Sequence, residues 1–145
     1  MEQRRVTRGF YCFVLVVALF VDLSSCGIIG GAFKRRYVRI VNNLDNKQLD
    51  YHCRSKDDDF GRKSLQAKEE WEFTFRDNFV DSTLFYSDFW YDTFHASFDV
   101  FKGDTNFHDY ECGGDHCIWK AQEDGFYLFH IQKNVFVKKY DWEKN

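Results

Sequence analysis

The chain has 145 residues, and none is proline. Phe, Trp and Tyr make up 20% of it, 17 of them Phe, which favours strands over helices and supplies large areas for a core. With 20 basic and 23 acidic residues the net charge is −3, and that balance argues against the basic stripe of a nucleic-acid binder.

The chain opens on Arg4, Arg5 and Arg8. Residues 10–20 are then apolar without a break, and Asp22, Ser24, Ser25 and Cys26 follow. This is the three-part pattern of a secretory signal peptide. An uncleaved anchor is the competing reading, but the apolar run is about 12 residues against roughly 20 for a spanning helix. Residues 1–26 are therefore expected to leave near Cys26–Gly27. The exported chain would have no stable membrane insertion and a flexible tail over 27–36. The remaining 115–120 or so residues suit one domain.

Alternation of β-branched or aromatic with polar residues predicts strands over 37–41 and 49–53. The clearest is 70–76, where Trp71, Phe73 and Phe75 share one face and Glu70, Glu72, Thr74 and Arg76 the other. That stripe is read as core before sugar platform. Residues 54–61 read as a charged loop and 102–110 as a polar one. Residues 83–90 and 97–101 read as two paired strands with Asp92-Thr93 near the connection. Residues 117–121 and 126–131 read as strands flanking the turn Glu123-Asp124-Gly125. Residues 135–140 close the domain, and 141–145 form a C-terminal tail. The pattern predicts an all-β fold: a two-sheet antiparallel β-sandwich, immunoglobulin-like, of about eight short strands, disulfide-stabilised, over 37–140.

Cys53, Cys112 and Cys117 remain after the leader, so one has no partner. Cys112–Cys117 would close a small local loop containing two glycines. Cys53–Cys117 is preferred, because a loop of over sixty residues gains about 4 kcal/mol in the chain-entropy model. Cys112 is then left over, and a disulfide-linked dimer stays open beside a monomer.

Several blocks together resemble the plant self-incompatibility protein family, the S-protein homologues. They are Val38-Arg39-Ile40-Val41-Asn42-Asn43-Leu44, His52-Cys53-Arg54-Ser55-Lys56-Asp57-Asp58-Asp59-Phe60-Gly61 and Trp71-Glu72-Phe73-Thr74-Phe75. Thr83-Leu84-Phe85-Tyr86, Phe98-Asp99-Val100-Phe101, Cys112, Cys117-Ile118-Trp119 and Asp124-Gly125-Phe126-Tyr127 follow in order. The resemblance implies a small secreted β-sandwich with two disulfides and a ligand-like role in cell–cell recognition, such as rejection of self pollen. It also implies a fourth cysteine where this chain has Ser87. Mapped on the family, the retained bridge is again Cys53–Cys117. Many members carry a glycosylation sequon; this chain has no Asn-x-Ser/Thr.

Asp57-Asp58-Asp59 lacks the spacing of a calcium loop, and Arg54, Lys56, Arg62 and Lys63 flank it. His108, Cys112, His116 and Cys117 could suggest zinc, but adjacent His116 and Cys117 point to opposite faces of a strand. No serine or cysteine sits in a nucleophile context. The expectation is a non-enzymatic extracellular ligand for a cell-surface receptor protein, without cofactor, metal or nucleic acid. Recognition is placed on Arg54, Lys56, Asp57, Asp58 and Asp59, and on Asp77, Asn78, Phe79 and Asp81. Phe79, Phe94 and Phe107 are loop aromatics suited to anchor an interface. The alternative is a carbohydrate-binding module at the cell wall.

Overall fold

The computed structural model describes residues 34–77, 83–104 and 107–145, and the described strands all fall in one unit, Arg35–Asn145. Each strand forms where the sequence alternates. In β1 (Arg35–Asn42), Arg36, Val38, Ile40 and Asn42 turn inward. In β2 (Leu49–Arg54), Leu49, Tyr51 and Cys53 do so. β3 (Asp59–Leu65) and β4 (Glu70–Arg76) follow, then β5 (Leu84–Tyr91) and β6 (Phe94–Lys102). A π-helical turn, Phe107–Cys112, leads to β7 (His116–Gln122), β8 (Gly125–His130), β9 (Val135–Tyr140) and the two-residue β10 (Glu143–Lys144).

The strands stack as two five-stranded sheets, β4-β1-β7-β8-β9 and β10-β6-β5-β2-β3. All neighbouring pairs are antiparallel except β1 with β7, which run parallel. The all-antiparallel expectation thus fails at one place, because hairpin-like alternation in sequence says nothing about which distant strand lies alongside β1. Residues 141–145, expected as a tail, contribute β10. The expected loop 54–61 is also shorter than its charge suggested. β3 begins at Asp59, and only Ser55–Asp58 connects it to β2, since Phe60 packs on Trp71, Phe73 and Phe85.

The core lies between the sheets and is aromatic. Trp119 is 1% exposed, and its indole N–H donates to the Val100 carbonyl at 2.9 Å, joining β7 to β6 of the other sheet. A buried indole needs such a partner, because an unsatisfied N–H would cost more than the bond contributes. Phe73 is buried and Trp71 and Phe75 pack against the core, so the β4 stripe is core. Phe94 stacks on Tyr91 and Phe107 is buried against Phe101, so neither is an exposed loop anchor as expected. Loop membership in sequence does not report which way a ring points.

Asn42 organises one corner. It is fully buried; its amide donates to the carbonyls of Lys47 at 2.8 Å and Leu65 at 2.9 Å, and its Oδ1 accepts from Leu44 N–H at 3.0 Å. At the β7–β8 turn, Gly125 has φ 146°, and a Cβ there would lie 2.2 Å from the Tyr140 carbonyl oxygen. Gly125→Ala is expected to lose about 2 kcal/mol from strain and displaced backbone. A urea unfolding midpoint reads this directly, and an unchanged midpoint would contradict the close approach of β9.

Candidate functional site

The charged connection begins where β2 ends. Ser55 N–H donates to the Asp58 carbonyl at 2.7 Å, and Asp58 N–H donates to Ser55 Oγ at 3.0 Å, closing a tight turn. This turn leaves Lys56, Asp57 and Asp58 exposed. It overhangs a cleft of about 530 Å³. Phe75 from the end of β4, with Leu84, Phe85 and Tyr86 from the start of β5, provides the apolar lining, and Lys56, Asp57, Asp58 and Arg76 provide charge. Apolar contact area beside a few charges is the usual make-up of a recognition site.

The other two predicted recognition residues of this stretch do not line the cleft. Arg54 lies on the outer face of the second sheet, its guanidinium 4.7 Å above the Tyr86 ring and 3.0 Å from Asp88. Its Nη1 donates to His52 Nδ1 at 2.9 Å. Asp59 Oδ1 accepts from Gly61 N–H at 2.8 Å and meets His52 Nε2 at 2.5 Å. The Gly61 N–H, then the His52 ring, holds the Asp59 carboxyl below the ordinary carboxylate range. Any stability this gives is present at neutral pH and fades as pH falls through that lowered pKa. Among the described residues no three His, Cys, Asp or Glu side chains cluster around a metal-sized space.

Asp77 is not a surface contact. It is 6% exposed and its Oδ2 lies 3.6 Å from Arg36 Nε. Arg36 also binds the Asp115 carboxylate and donates to His108 Nε2 at 3.1 Å. A strand-end aspartate beside a predicted turn reads as exposed; its buried partner Arg36 is some forty residues away in sequence and invisible to local pattern. Asn78, Phe79 and Asp81 lie outside the described residues.

The cysteines correct the expected pairing. Cys112 and Cys117 are bridged, with Cα atoms 5.0 Å apart, and among the described residues Cys53 is the free, buried cysteine. Gly113 and Gly114 adopt φ 70° and 158° between them, which lets the chain reverse within the short loop. Cys53 instead faces Ser87 across the β2–β5 ladder, and the Ser87 hydroxyl contacts its sulfur. Loop entropy favoured the long bridge; strand register decides against it. The leftover thiol is Cys53 and not Cys112, and it is 0% exposed. The bridge also removes Cys112 and Cys117 from any zinc set.

The plant self-incompatibility protein S1 family model matches residues 37–142. The chain belongs to this family. S-protein homolog 2 of Arabidopsis thaliana is 37% identical over 113 residues, covering 77% of this chain and 70% of the relative. Self-incompatibility protein S1 of Papaver rhoeas is 30% identical over 128 residues, covering 88% and 87%. A solved member of the SPH (self-incompatibility protein homologue) family, described as small, highly stable, secreted plant proteins, superposes with a TM-score of 0.57 at 19% identity. It covers 79% of this chain and 100% of its own. At that identity the superposition speaks for the fold. In this S-protein homologue, Ser87 occupies the position where the resemblance implied a fourth cysteine. Ser87 contacts Cys53, and the bridge present is Cys112–Cys117.

The cleft's apolar half was missed at the sequence level. Leu84, Phe85 and Tyr86 read only as strand, although Leu84, 42% exposed at a strand start, is a large apolar side chain left uncovered.

Proposed function

We propose that this S-protein homologue is a secreted, non-enzymatic ligand that meets a cell-surface receptor protein through the cleft end of the sandwich. The observation that carries the reading is the cleft itself, where Lys56, Asp57 and Asp58 stand over Phe75, Leu84, Phe85 and Tyr86. Aromatic and aliphatic groups in such a site supply affinity, and the mixed charges set on-rate and specificity. The signal-peptide pattern, the Cys112–Cys117 bridge and the family's description as secreted support export. Self-incompatibility is the role in the Papaver relative's name, and here rejection of self pollen is one form the recognition would take.

The test uses fluorescently labelled mature protein on intact plant cells. Saturable binding is expected, and K56A/D57A/D58A should weaken it about tenfold or more at an unchanged melting temperature. Parent-like binding by that variant would remove the cleft from the reading.

A further inference from the structure

A sandwich of two open sheets has four edge strands, and exposed edges invite pairing with other chains. Three of the four are blunted here. β10 has only two residues. β3 carries Arg62 and Lys63, the left-handed Gly61, and an irregular register with β2. β9 carries Lys138 and Lys139 and a register shift against β8. Bulges, lysines and shortness are the standard guards of a sheet edge.

Among the described residues β4 has no lysine, bulge or shortening, and its charges are Glu70, Glu72 and the terminal Arg76. Its seven residues pair with β1 without a shift, and they include no lysine, proline or glycine. It lies at the outer end of its sheet. Glu70, Glu72 and Thr74 are exposed along it, and the inward-turned Trp71 and Phe75 are only half-buried. Arg39 approaches both glutamates, at 3.8 and 3.3 Å, and His116 Nδ1 lies 3.7 Å from Glu72, while Glu70 stays exposed beyond its one arginine. The strand runs directly into the cleft, since Phe75 and Arg76 line it.

We infer that β4 is a strand-addition site: an extended segment of the partner protein pairs with the edge that no described strand occupies, places basic side chains beside Glu70 and Glu72, and turns apolar side chains toward Trp71, Phe75 and the cleft. Main-chain hydrogen bonds give such an addition its affinity, and alternate side chains give it selectivity. The alternation follows from strand geometry: every second side chain of the added segment lies on the face that carries the glutamates, and the ones between lie on the aromatic side. The proposal deepens the receptor-ligand reading and rests on it.

The probe is a synthetic seven-residue peptide, Lys-Val-Lys-Phe-Lys-Val-Thr, titrated into the mature protein and followed by amide NMR shifts. Saturable shifts are expected over residues 70–76 and the cleft. The same peptide N-methylated at alternate backbone nitrogens, which removes edge donors, should bind about tenfold more weakly or worse. E70K/T74K, which puts the missing lysine guards on the edge, should do the same at an unchanged melting temperature. Shifts confined to other strands, or equal binding by the N-methylated peptide, would overturn the inference. On intact cells the two readings separate: if E70K/T74K binds like the parent while K56A/D57A/D58A does not, strand addition falls and cleft recognition stands.

Discussion

Ser87→Cys is expected to form a second disulfide with Cys53 and to stabilise the protein by about 4 kcal/mol in the chain-entropy model for a loop of some 35 residues. The two residues are direct partners in the β2–β5 register, both are fully buried, and their side chains already touch. Cross-strand partners lie within the Cα separation a disulfide needs. Burial pushes the Cys53 thiol up to about 12, with the Ser87 hydroxyl working against it, so in the native protein it is an unreactive thiol. The new bond must therefore form during oxidative folding, before the strands close. Non-reducing mass spectrometry after secretion identifies the bridge, and denaturant midpoints with and without reductant measure its effect. Two free thiols in the secreted variant would show that β2 and β5 do not pair in this register.

Arg36→Met is the opposite case, with an expected loss of about 3–5 kcal/mol. Arg36 is 8% exposed and joins β1 to Asp77 after β4, to Asp115 before β7, and to His108 in the π-helical turn. A methionine fills much of the volume but leaves the Asp77 carboxylate buried without a cation. Its cost is that of an uncompensated charge, which exceeds the modest net value of the intact pair. Arg36→Met with Asp77→Asn should recover about 1–2 kcal/mol, because the stranded charge is gone. Urea unfolding of the two single variants and the double variant gives the coupling. Strict additivity would mean that Asp77 does not depend on Arg36. Because Asp77 directly follows the Phe75-Arg76 end of β4, loosening this cluster should also weaken cell-surface binding through the cleft.

These two positions show how far a one-dimensional reading reaches. The strands were readable because alternation at a period of two is a local property: Val38 and Ile40 in β1 and Trp71, Phe73 and Phe75 in β4 declare their inward face within a few residues. The Asp92-Thr93 connection and the Glu123-Asp124-Gly125 turn are equally local. β3 escaped detection because an edge strand needs no apolar alternation; five of its seven residues are exposed, and only Phe60 and Leu65 turn toward the core. The parallel β1–β7 pair escaped because seventy-odd residues separate the two strands, and no local pattern encodes which of them become neighbours.

By itself, then, the amino-acid order determined an aromatic β-sandwich, its family, and a charged turn at Lys56–Asp58 as a surface feature. Tertiary structure alone decided which cysteine stays free, that Asp77 is an interior ion-pair partner, and that the turn stands over an apolar floor built from β4 and β5. The reason is physical: side-chain direction along a strand follows from neighbours one and two residues away, whereas bridge pairing, charge burial and cleft formation depend on strand register between segments far apart in the chain.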